Sequence, residues 1–159
     1  RIDHFEYRLL AYDGQSNWTI YNPKILPIAG PYFSDFLFDC DNNLWVANYR
    51  ALNKREGNTW LQFEYPVTGG NLRNVALDGQ TCKVWSAFSD LSPYDEVTPY
   101  NLVCFDGVQF EGFDLPGNVF RVKANEGVVW VGSSEKSRWR VLLCLRRCRC
   151  PVPVRPALH

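Results

Sequence analysis

The chain holds 159 residues, 46% of them hydrophobic and 21% charged, with 17 basic and 17 acidic side chains and no net charge. That size and balance fit one folded domain or part of a larger one, and they exclude a disordered or collagen-like chain. No apolar run reaches the roughly 18 residues of a spanning helix, so no membrane segment is expected here, while an aromatic content of 15% favours strands.

In chain order, the first predicted pair of strands lies in 9–21 (LLAYDGQSNWTIY), with an Asp-Gly turn between them. A strand at 33–39 (FSDFLFD) and a turn at 39–43 lead to a tryptophan strand, 43–49 (NLWVANY). The stretch 51–63 (ALNKREGNTWLQF) then repeats the pattern of strand, acidic-Gly turn and aromatic strand seen in 9–21. The same series returns as 72–78 (LRNVALD), 83–89 (KVWSAFS) and 101–113 (NLVCFDGVQFEGF), and begins again as 119–125 (VFRVKAN) and 128–134 (VVWVGSS). Trp45, Trp85 and Trp130 are 40 and 45 residues apart, and Gly14, Gly57 and Gly107 are 43 and 50 apart. Glycine after an acidic residue supplies the positive φ of a tight hairpin. No segment has a helical period.

Four short strands per unit of about 40–45 residues are the signature of a propeller blade. The predicted fold is therefore all-β, a partial β-propeller made of consecutive four-stranded antiparallel blades. Residues 1–135 carry the blades: a partial blade at 7–22, blades at 33–65 and 72–114, and a partial blade at 118–134. The recurring tryptophans are expected to pack blade against blade.

The pattern Asp-x-x-Asn-Leu-Trp-Val, followed by Leu-x-x-x-(Asp/Glu)-Gly and Trp-x-x-(Tyr/Phe), resembles the two-component regulator propeller repeat over residues 7–135, most closely at 42–48, 55–63 and 128–132. The resemblance implies a bacterial propeller from the extracytoplasmic sensor region of a hybrid histidine kinase, periplasmic or extracellular. It further implies non-catalytic recognition, without a cofactor, of an oligosaccharide or other small extracellular ligand. The chain departs from the family in its few blades, so the rest of a larger propeller, or further copies of this chain, is the expected partner. Two other readings stand beside this one: a structural or protein-interaction propeller of a secreted or surface protein, and a fragment of a propeller-type carbohydrate-active enzyme.

Charge is unevenly spread. Residues 1–135 hold 10 basic and 17 acidic side chains, whereas 136–159 hold seven basic and no acidic ones. This Arg-, Cys- and Pro-rich tail lacks the acidic-Gly turn and is expected to lie outside the repeat. A basic arm for nucleic acid, a divergent last strand with a linker, and an end read in a foreign frame compete to explain it. No nucleic-acid motif accompanies the charge, so no nucleic-acid partner is expected. The absence of Met and the start at Arg1 suggest a chain without its native beginning. Cys40, Cys82 and Cys104 are expected to be free thiols, and Cys144, Cys148 and Cys150 do not have zinc spacing.

No catalytic constellation stands out: His4 is the single histidine before the tail, and no nucleophile sits in a recognised motif. The turn at 39–43 is rich in carboxylate and amide oxygens but too short for a calcium loop, and reads as a hairpin turn. Asn17 and Thr19 match a glycosylation acceptor by chance. The candidate binding element is the extra loop at 89–100, on the same end of the sheets as the long joins at 22–32 and 66–71. Insertions in repeat proteins map to binding faces. Tyr94 and Tyr100 are positioned there to stack on a sugar ring or a peptide, with Asp95 and Glu96 to accept hydrogen bonds. No metal site is expected.

Overall fold

The computed structural model describes residues 9–21, 33–48, 50–67, 71–89, 100–135 and 138–144, and every regular element among them is a strand. Sheet 1 pairs β1 (Leu9–Tyr12) with β2 (Trp18–Tyr21). Sheet 2 is the antiparallel meander β3 (Asp35–Phe38), β4 (Leu44–Ala47), β5 (Ala51–Glu56) and β6 (Thr59–Glu64). Sheet 3 repeats it with β7 (Asn71–Asp78), β8 (Lys83–Ser89), β9 (Leu102–Phe105) and β10 (Phe110–Phe113). Sheet 4 holds β11 (Asn118–Asn125), β12 (Val128–Glu135) and β13 (Arg138–Cys144). Among the described residues the sheets do not close on themselves.

Local chemistry places the hairpins where the spacing predicts. Gly14, Gly57 and Gly107 have φ of 83°, 59° and 100° at the tips of β1–β2, β5–β6 and β9–β10, a region that a side chain makes costly. An aspartate fixes the first turn of sheet 2 and that of sheet 3. Asp39 Oδ1 accepts the N–H groups of Asp41 and Asn43 at 3.0 and 2.7 Å, and its Oδ2 accepts the Trp45 indole N–H at 2.8 Å. The oxygens that suggested a cation are thus spent on the turn itself.

Sheets 2, 3 and 4 stack face to face, and alternation along each strand decides which residues meet. In sheet 3, Val84, Phe88, Val103 and Phe105 face sheet 2 and pack with Trp45, Ala47 and Leu52. Trp85, Ala87, Leu102 and Cys104 take the other face and pack with Val119, Val122, Val129 and Val131 of sheet 4. With both faces covered, β9 is buried throughout, so its sequence LVCF is continuously apolar rather than alternating. Trp45 and Trp85 occupy the same place in successive joints and are 5% and 4% exposed, whereas Trp130, with no described sheet beyond it, is 49% exposed. Phe36 and Phe38 are likewise half exposed on the outer face of sheet 2.

Two expectations change. Cys40 and Cys82 are not free thiols but form a disulfide, with Cα atoms 5.7 Å apart. Both lie in first turns, one unit apart, and stacking of the sheets brings the turns within bridging distance. Cys104 is a buried free thiol. The basic segment also continues the fold: β13 pairs antiparallel with β12 from Glu135↔Arg138 to Val129↔Cys144. Its Val141, Leu142 and Leu143 form a strand-prone run that supplies a third strand without the acidic-Gly turn. Residues 145–159 lie outside the described residues.

Candidate functional site

Of the four loop candidates, Tyr94, Asp95 and Glu96 lie outside the described residues, within the undescribed segment 90–99. Tyr100 is described, and it is half buried against the core between sheets 2 and 3. Its ring lies on Gly112, where a Cβ would collide with it. Tyr100 therefore covers a glycine in β10 and the structure does not display it as a free stacking platform.

The structure builds a different concave site. The first strands of sheets 2, 3 and 4 lie side by side, and across them runs a cavity of about 460 Å³. Asp35 on β3, Arg73 on β7, and Arg121 and Lys123 on β11 contribute its charged groups. Arg121 and Lys123 are two residues apart and so project on one face of their strand.

The floor of this groove is laced by side chains that reach the backbone of the next unit. Asp35 Oδ2 accepts the N–H of Val75 at 2.9 Å, while its Oδ1 accepts that of Phe36 at 2.9 Å. Asn74 sits at the corresponding place on β7. Its Oδ1 accepts the Val122 N–H and its Nδ2 donates to the Val122 carbonyl, each at 2.9 Å. The corresponding residue on β11 is Arg121, which brings a cation where the earlier units bring an acceptor. β7 and β11 each carry a bulge here, at Leu72/Asn74 and Val119/Arg121, and bulges re-aim side chains. Arg73 is steadied by a hydrogen bond from its Nε to Ser89 Oγ and by the Phe120 ring, 5.9 Å from its guanidinium carbon.

A parallel seam joins the turns. The Cys40–Cys82 bridge ties the first turn of sheet 2 to that of sheet 3, and Asp78 Oδ1 accepts the Gly127 N–H at 3.0 Å, tying sheet 3 to sheet 4. Burial works to raise the carboxyl of Asp78, but hydrogen bonds from Thr81, Gly127 and Gln80, with the Lys83 charge, outweigh it and hold the group below the ordinary carboxylate range. Asp39 follows the same logic: burial opposes ionisation, and the bonds from Trp45, Asn43 and Asp41 prevail.

Among the described residues, no three His, Cys, Asp or Glu side chains converge as a metal site, and no helix is long and apolar enough to cross a membrane. The groove residues escaped the sequence reading because they are single polar positions in strands. The signal was there in the basic pair Arg121 and Lys123, placed on a strand whose counterparts carry Asp35 and Asn74. The chain matches no protein-family model and no curated protein sequence.

Proposed function

We propose that this chain is a segment of a β-propeller of the two-component regulator type, a non-catalytic recognition module of a bacterial extracytoplasmic sensor. The observation that carries the reading is the repeated joint: Trp45 and Trp85 fill the same place between successive sheets, and Trp130 stands half exposed where a further sheet fits. A stack propagated by one repeated joint is how a propeller grows. In that geometry β3, β7 and β11 are the inner strands, and the groove they line belongs to the central channel. The disulfide supports an oxidising compartment such as the periplasm or the cell exterior.

In this role a ligand, an oligosaccharide or another small extracellular molecule, binds and shifts the receptor towards the state that holds it more tightly. The test is calorimetric titration of the full chain with neutral and acidic tetrasaccharides, alongside an assay for new reducing ends. Saturable binding without cleavage is expected. Release of shorter sugars favours a carbohydrate-active enzyme, and failure of every glycan to bind removes oligosaccharide recognition.

The half-exposed Phe36, Phe38 and Trp130 favour a second reading, a structural or protein-interaction propeller whose open faces meet partner sheets. Concentration-dependent association by analytical ultracentrifugation, unaffected by any glycan, selects that reading.

A further inference from the structure

We infer that the groove across β3, β7 and β11 is an anion site that takes an acidic oligosaccharide, its carboxylate or sulfate groups held by Arg73, Arg121 and Lys123. The inference rests on the recognition reading above and names the ligand class and the place. Three of the 10 basic side chains in residues 1–135 line this one cavity, against one of the 17 acidic ones. A chain segment that is acidic as a whole thus turns a basic strip towards a concave surface. The surrounding negative charge disfavours a long polyanion such as nucleic acid, while the groove attracts a short one. Its volume of about 460 Å³ lies within the range of small-ligand sites.

The other groups suit a sugar. Both carboxylate oxygens of Asp35 already accept backbone N–H groups, which fixes their direction and leaves lone pairs that can accept sugar hydroxyls. Arg73 is held by Ser89 and Phe120, so less side-chain freedom is lost when it meets an oxyanion. A guanidinium matches a carboxylate or sulfate through paired N–H donors. The floor, tied through Asn74 and Val122, keeps the inner strands at fixed spacing.

The test titrates the full chain with tetragalacturonate, its fully methyl-esterified form and a sulfated carrageenan tetrasaccharide, by calorimetry and by backbone amide chemical shifts. The acidic sugar is expected to bind, to weaken as salt rises, and to shift the Val75 and Val122 amides. The neutral ester is expected to lose most of the affinity. Stronger binding of the sulfated sugar assigns the groove to sulfate, and stronger binding of the uronate assigns it to carboxylate. The double variant Arg121→Gln, Lys123→Gln is expected to lose roughly tenfold or more in affinity, since each exposed charge pair contributes up to about fivefold. Both residues are exposed, so the variant should melt like the parent, which controls for folding. Equal binding of acid and ester, or shifts confined to the segment around Tyr100, overturns the groove while leaving recognition intact. Failure of every probe overturns the acidic-oligosaccharide site, and the neutral tetrasaccharides above then decide whether oligosaccharide recognition stands.

Discussion

Asn74 bonds both backbone groups of Val122, accepting its N–H and donating to its carbonyl, each at 2.9 Å. One amide side chain thereby replaces a strand pairing between two sheets that are joined besides by apolar contact and by the Asp78–Gly127 hydrogen bond. Both residues are buried, so truncation leaves two main-chain groups without their partner. Asn74→Ala should cost about 2–4 kcal/mol, from one to two stranded polar groups. Asn74→Asp keeps the acceptor but sets a buried carboxylate against the Val122 and Val75 carbonyl oxygens, and should cost at least as much. Urea unfolding of both variants checks the order.

The disulfide spans 42 residues. Closing a loop of that length restricts the unfolded chain by about 4 kcal/mol in the chain-entropy treatment. Cys40→Ser with Cys82→Ser should therefore lower the unfolding midpoint strongly. Adding a reductant to the parent should lower it by a similar amount while leaving the variant unchanged. Equal midpoints for parent and variant would count against the bridge.

The three tryptophans share a sequence position but not an environment. Trp45→Ala and Trp85→Ala should each cost about 3–5 kcal/mol as cavities in close-packed joints. Trp130→Ala should cost about 1 kcal/mol or less, because the ring is half exposed. The indoles of the buried pair also differ. Trp45 Nε1 donates to Asp39 at 2.8 Å, while Trp85 Nε1 finds no acceptor among the described residues. Phenylalanine should therefore be tolerated better at Trp85 than at Trp45, where it removes one of the hydrogen bonds that a partly buried carboxylate accepts.

Acid should loosen the turns. Asp39 and Asp78 are held below the ordinary carboxylate range by the hydrogen bonds their ionised forms accept. Asp106 is lowered by the N–H groups of Gln109 and Val108, and Asp13 to about 2 by those of Gln15 and its neighbours. A depressed folded-state pKa means that the stabilisation is present above the unfolded value of about 3.9. It is lost as pH falls through the folded values. The urea midpoint should hold near pH 5 and decline from about pH 4 downwards. Asp39→Asn with Asp78→Asn should start lower and decline less.

The sequence alone determined strands β1 to β12, their hairpins and the grouping in fours seen in sheets 2 and 3. Those features follow from chemistry within a few residues: an acidic-Gly pair that closes a hairpin, an aspartate that caps a turn, and alternation that sets a strand. The joints, the bridge and the groove depend instead on which face of one sheet meets which face of the next. Cys40 and Cys82 read as separate thiols until stacking placed their turns together. Tyr100 read as a displayed aromatic until its ring was found on Gly112. Segment 138–144 read as foreign to the repeat because it lacks the turn, yet strand pairing needs only an extended chain beside an open edge. Asp35, Asn74 and Arg121, tens of residues apart in sequence, become neighbours only because stacked sheets set their first strands side by side, and that placement is decided by packing rather than by local sequence.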